Sequence, residues 1–126
     1  MLLGNLSTPV HVPKPSPRSL FAARLKQARA LRGIESQRAL GVLMGLNKKL
    51  ASSRVNRYEN ETSGIDLDGL GRLADTLGVP MAYLVAEDES IASAILMMTA
   101  LPNPKRKKIF SLLEEALRRG IDDSSY

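Results

Sequence analysis

The sequence predicts an all-α protein, and three observations lead there. Apolar residues recur at spacings of three and four along most of the 126-residue chain, the repeat of a helix that buries one face. No segment shows the strict alternation of a half-buried strand. Helix-starting Ser, Asp and Asn residues and helix-ending glycines punctuate the chain, which marks off a series of short helices.

Residues 1–17 stand apart. Pro9, Pro13, Pro15 and Pro17 lie there among Ser, Thr and Gly, which predicts a flexible, partly polyproline arm rather than a helix. Helical periodicity begins at Leu20. Phe21, Leu25, Ala28 and Leu31 follow at intervals of four, three and three, and Gly33 ends the run. Ser36 caps a second, short helix with Leu40, Leu43 and Met44 inward. Gly45 stops it, offering the left-handed backbone of a sharp turn. A third helix is expected over residues 52–60, buried through Val55 and Tyr58. Asp66 caps a fourth, with Leu67, Leu70, Leu73, Ala74 and Leu77 inward and Gly78 as its stop; Gly69 and Gly71 soften it. Pro80 opens a short fifth helix through Leu84. Residues 18–86 thus form one five-helix domain.

After the acidic link Glu87-Asp88-Glu89 comes a helical extension, residues 87–120. Ile91, Ile95, Leu96 and Met98 form one apolar stretch. Asn103-Pro104 is a cap followed by proline at the first helical position. The last helix carries Ile109, Leu112, Leu113, Ala116 and Leu117 on one stripe, with Gly120 as its stop and residues 121–126 as a tail. Glu114 with Arg118, and Glu115 with Arg119, stand in the favourable i,i+4 order.

Composition narrows the function. The chain has no cysteine, which excludes disulfides, thiolate zinc sites and cysteine nucleophiles. Its single histidine, His11, lies in the proline-rich arm, so no histidine metal site or Ser-His-Asp arrangement is available. Glu87-Asp88-Glu89 reads as a solvated linker, with no base, nucleophile or phosphate loop beside it. No catalytic residue, metal or cofactor is expected. The longest nearly apolar run, residues 94–101, is far short of the roughly 20 residues of a membrane span. Residues 1–10 lack a basic start and a sustained apolar stretch, so a cytoplasmic protein is expected, with no membrane partner.

The net charge of +5 is unevenly spread. Residues 1–58 hold eleven Lys and Arg against one acid, Glu35, whereas residues 59–103 hold eight acids and one base, Arg72. Such segregation suits a face that meets a polyanion. Two short helices joined by a tight glycine turn, the second one basic, make a helix-turn-helix.

The ordered set Gln37-x-x-Leu40-Gly41-x-x-x-Gly45-Leu46, then Ser52-Ser53-Arg54-Val55-Asn56-Arg57-Tyr58-Glu59-Asn60, then Leu70, Leu73-Ala74 and Leu77-Gly78-Val79 resembles the lambda-repressor-like family. Its members are bacterial and phage regulators of the Cro/repressor or xenobiotic-response type. The resemblance covers about residues 24–85. It implies a five-helix lambda-repressor-like DNA-binding domain followed by a C-terminal helical hairpin. The implied partner is double-stranded DNA, read by a recognition helix of about residues 52–60 in the major groove. The implied function is a transcriptional regulator, a repressor, acting by occupying an operator.

Residue by residue, Gly41 matches a position kept small where the two helices approach. Arg29 and Glu59 match an ion pair bracing the first helix against the recognition helix. Gln37 matches a side chain that bonds the DNA backbone. Ser52, Ser53 and Arg57 match groove-facing positions, with Arg57 placed for a guanine edge. Arg54 and Asn56 are within reach of bases or phosphates, and Arg38 and Asn60 complete the expected DNA-facing set.

Three departures stand out. About four extra residues fall within 47–51, read either as a lengthened turn carrying Lys48 and Lys49 toward phosphate or as an altered approach of the third helix. One extra residue lies between Gly33 and Gln37. Glu61 occupies a position where the family often has glycine.

The ends leave alternatives open. Residues 90–119 are either extra helices packed on the core or a dimerisation hairpin, which would make the protein a homodimer. The Lys105–Lys108 run meets DNA, an acidic partner or only solvent. Lys14 and Arg18 follow a phosphate track, enter a minor groove or stay disordered. An antitoxin of a toxin–antitoxin pair shares this fold, and a protein-interaction module without DNA binding is the other reading.

Overall fold

The fold is given by a computed structural model that describes residues 15–123, with side chains to residue 120. Residues 1–14, which hold His11, Lys14 and most of the proline-rich arm, and residues 124–126 lie outside the described residues. The described residues form seven helices and no strand.

α1 (Pro17–Leu31) starts three residues before the apolar periodicity does. Ser16 caps it, accepting from the Ser19 N–H at 3.1 Å. Pro17 takes the first helical position, where its missing N–H costs nothing, so the last residue assigned to the arm belongs to the helix. α2 (Gln37–Leu43) is capped by Ser36 as expected. Leu40 is buried but Leu43 is exposed, correcting its inward placement. The helix turns Gly41 toward its neighbour, and that leaves Leu43 off the inner face.

α3 (Lys48–Glu59) is capped by Asn47 and begins four residues before Ser52. α4 (Leu67–Leu77) is capped by Asp66 and ends at Gly78, whose φ of 65° is left-handed. Leu67, the first residue after the cap, is exposed rather than inward. Gly69 does more than soften this helix. Its N–H donates to the Asp66 carboxylate at 2.7 Å, and a Cβ there would sit 2.8 Å from that same oxygen. α5 (Met81–Leu84) follows Pro80.

The core lies among α1 to α5, with Leu25, Leu40, Leu73, Leu77 and Leu84 fully enclosed. Phe21 meets Tyr58 edge-on, ring centroids 5.8 Å apart, an arrangement favoured by the ring quadrupoles. α6 (Glu89–Ala100) joins this core through Ala92, Ile95 and Leu96. Its cap, Asp88, accepts from the Ser90 hydroxyl and from the N–H groups of Ile91 and Ser90, which hold its carboxyl below the usual carboxylate range.

α7 (Asn103–Asp123) runs three residues past Gly120 and so takes in half of the expected tail. Gly120 has no left-handed φ and does not stop the helix. Glu115 pairs with both Arg118 and Arg119, so Arg118 turns to Glu115 and not to Glu114. Within the Lys105–Lys108 run, Arg106 is structural. It donates to the Met98 and Leu101 carbonyls, each at 2.9 Å, and so caps the end of α6.

α2 and α3 are the most closely packed pair of helices. A Cβ on Gly41 would lie 2.3 Å from the Ala51 carbonyl oxygen and 2.5 Å from the Ala51 Cα. These are backbone atoms that cannot swing aside, so at this position even alanine is too large. Gly41→Ala is expected to lower stability by about 1–3 kcal/mol, the usual cost of overpacking. A thermal melt checks this, and a melting temperature equal to or above the parent's contradicts the close approach.

Candidate nucleic-acid interface

The turn between α2 and α3 is set by backbone bonds. Gly45 has φ of 84°. Its N–H donates to Val42 at 2.9 Å, and the Leu46 N–H donates to Gly41 at 3.0 Å, the paired bonds of a left-handed helix end. Asn47 then accepts from the Leu50 N–H at 3.0 Å. The extra residues at 47–51 are therefore a cap and the first turn of α3, and not a lengthened loop. Ala51, Val55, Tyr58 and Glu59 form the buried side of α3.

Glu59 is the centre of a polar network. Its side chain is 2% exposed, and it accepts from Arg29 Nε at 2.7 Å and Arg29 Nη2 at 2.9 Å. Such bidentate pairing fixes orientation as well as charge. Arg29 Nη1 also donates to the Ile34 and Glu35 carbonyls, both at 3.1 Å. Gln37 Nε2 donates to the same Glu59 carboxylate at 2.9 Å. The Gln37 carbonyl oxygen accepts from Asn56 Nδ2 at 3.1 Å, and Asn56 Oδ1 accepts from Asn60 Nδ2 at 2.9 Å. The expected Arg29–Glu59 pair is thus formed. Gln37, expected to meet a phosphate, has its amide oxygen and one amide hydrogen engaged by Asn56 and Glu59.

Of the other sequence-selected residues, Arg38, Lys48, Lys49, Ser52, Arg54, Asn56, Arg57 and Asn60 are exposed. Ser53 is half-buried, and its hydroxyl donates back to the Leu50 carbonyl at 3.3 Å. The surface brings together five cations on two helices whose sole acid, Glu59, is buried and paired. Arg54, Asn56 and Arg57 are not covered by any described part of the chain.

The charge count nonetheless overstates this face. Three arginines of α1 and its C-cap are engaged by the protein itself. Arg29 is one. Arg24, only 3% exposed, donates to the Ala86 carbonyl at 2.9 Å and to Glu89 at 2.7 Å. Arg32 donates to the Leu77 and Gly78 carbonyls at 2.7 and 2.6 Å, closing the end of α4.

Glu61 has φ of 64°, the one left-handed non-glycine among the described residues. Its N–H donates to Tyr58 at 3.2 Å and the Thr62 N–H to Arg57 at 3.0 Å, so it holds the helix-ending position that glycine fills best. That explains the glycine in the family pattern: the backbone needs it.

No protein-family model matches the chain. Over 106 residues it is 31% identical to the cryptic phage CTXphi transcriptional repressor RstR of Vibrio cholerae, a match spanning 79% of this chain and 90% of that protein. Among solved structures, the transcriptional regulator BswR superposes with a TM-score of 0.70 and 36% identity, covering 75% of this chain and 92% of its own. The hypothetical transcription factor NHTF from Neisseria superposes with a TM-score of 0.55 and 23% identity, over 71% of this chain and 98% of its own, a likeness of fold.

Glu61→Gly is expected to stabilise the protein by about 1 kcal/mol, through relief of a left-handed backbone. A higher melting temperature is the expected reading, and an unchanged or lower one contradicts the assignment.

Proposed function

The chain belongs to the lambda-repressor-like helix-turn-helix family of transcriptional regulators, and from that premise we propose that it is a cytoplasmic repressor that binds operator DNA through α2 and α3. The observation that carries this reading is the exposed surface of those two helices. It presents Arg38, Lys48, Lys49, Arg54 and Arg57 with no free carboxylate of its own helices between them. Phosphates are met by the flanking cations, which position the protein without reading sequence. Arg57, on the outward line of α3, reads a guanine edge through two parallel hydrogen bonds. Asn56, held by Gln37, and Asn60, held by Asn56, present amides beside it. Regulation follows from occupancy, with no chemical step.

The C-terminal helices support a twofold dimer. On α7, Phe110 is 57%, Leu113 55% and Leu117 68% exposed, with Leu112 and Ile109 beside them. Lys107, Lys108, Glu114, Glu115, Arg118 and Arg119 occupy the opposite side of the same helix. A solvated helix with so wide an apolar arc is a surface awaiting a partner. A second copy satisfies it symmetrically, and two copies place two recognition helices on half-sites about one helical turn apart.

Two experiments test this reading. In binding measured across a set of duplexes selected from random sequence, Arg57→Ala is expected to flatten sequence preference. Lys48→Ala should weaken all duplexes alike and reduce the salt slope by about one. Equal effects of the two substitutions contradict the assignment. Separately, the double substitution Phe110→Glu with Leu113→Glu is expected to shift the sedimenting mass from a dimer to the 13.7 kDa monomer. A wild-type protein that already sediments as a monomer contradicts the dimer.

A further inference from the structure

We infer that Leu50 is a specificity-determining residue that packs against the C5-methyl group of a thymine in the major groove. The inference rests on the DNA-binding reading above and deepens it. The first turn of α3 lies beyond the region the family spacing assigns to recognition, and it extends the helix at its N-terminal end. That is the end which, in a helix-turn-helix, reaches the base edges.

At about 3.6 residues per turn, Leu50, Ser53, Arg57 and Asn60 run along one line, opposite the buried Ala51, Val55 and Tyr58. Leu50 therefore prolongs the outward line that carries Arg57. It is 43% exposed and is the one large apolar side chain that α3 leaves open. Its neighbours one turn along the helix, Ser53 and Arg54, are both polar. Its backbone is fixed, because its N–H is tied to the Asn47 side chain and its carbonyl accepts from Ser53.

A lone exposed leucine elsewhere needs no explanation. Here it stands where docking brings the helix against base edges. A leucine neither donates nor accepts a hydrogen bond, so phosphates and most base-edge groups offer it nothing. The apolar feature of the major groove is the thymine methyl, which side chains of this kind recognise by contact.

The test uses the full chain and a duplex it selects from random sequence. Each thymine of one half-site is replaced in turn by deoxyuridine, which lacks only the methyl. For the wild type, affinity is expected to fall about fourfold at one position, the value of burying one methyl group. In Leu50→Ala that loss should vanish, while the guanine preference assigned to Arg57 remains. Leu50→Gln, which keeps the side-chain length, should lose it as well, and Leu50→Met should retain it. A Leu50→Ala protein that keeps every methyl sensitivity of the wild type overturns the inference, as does a wild type with none. A wild type that selects no duplex at all removes the DNA-binding reading itself, an outcome distinct from both.

Discussion

A carboxylate shut away from water organises this molecule. Glu59 sits at the end of the recognition helix, buried, and is tolerable there because Arg29 grips both of its oxygens and Gln37 adds a third donor. An unpaired charge in that position would cost several kcal/mol, so the three groups stand or fall together. Through them α1, the α1–α2 loop, the start of α2 and the end of α3 share one fixed point. The same network continues outward to Asn56 and Asn60. The stability of the domain and the posture of its exposed amides therefore have a common origin.

The second constraint is the contact at Gly41. Side chains normally separate two packed helices, but here the backbone of α3 rests directly on α2. This close seating leaves the far side of α3 free, and the longer helix carries more exposed surface than the family spacing implies. Cations divide into two populations accordingly. Arg24, Arg29 and Arg32 satisfy carbonyls and carboxylates, and those of α2 and α3 remain in solvent. In the proposed reading the second population is the one offered to DNA.

Much of this was legible in the sequence. Ser36, Asp66, Gly45 and Gly78 mark helix ends through local chemistry, and the Arg29–Glu59 pair follows from the family resemblance. The extra turn of α3 was not legible, since Asn47-Lys48-Lys49 is as compatible with a polar turn as with a cap and first helical turn. The roles of Arg24 and Arg32 were hidden for a different reason: their tertiary partners lie 45 to 65 residues away in the chain, and most of these are backbone carbonyls that carry no residue signature. Leu43 and Leu67 fit a helical stripe by spacing but lie where the neighbouring helices do not cover them. The left-handed backbone of Glu61 has no signature in a glutamate side chain.

The proposed reading has α3 entering the groove where N7 of guanine is displayed. On a duplex the protein itself selects, methylation of guanine N7 before binding should block the complex at guanines clustered in two patches about 10 base pairs apart. Binding that is indifferent to N7 methylation at every guanine would mean that the outward face of α3 does not read the major groove.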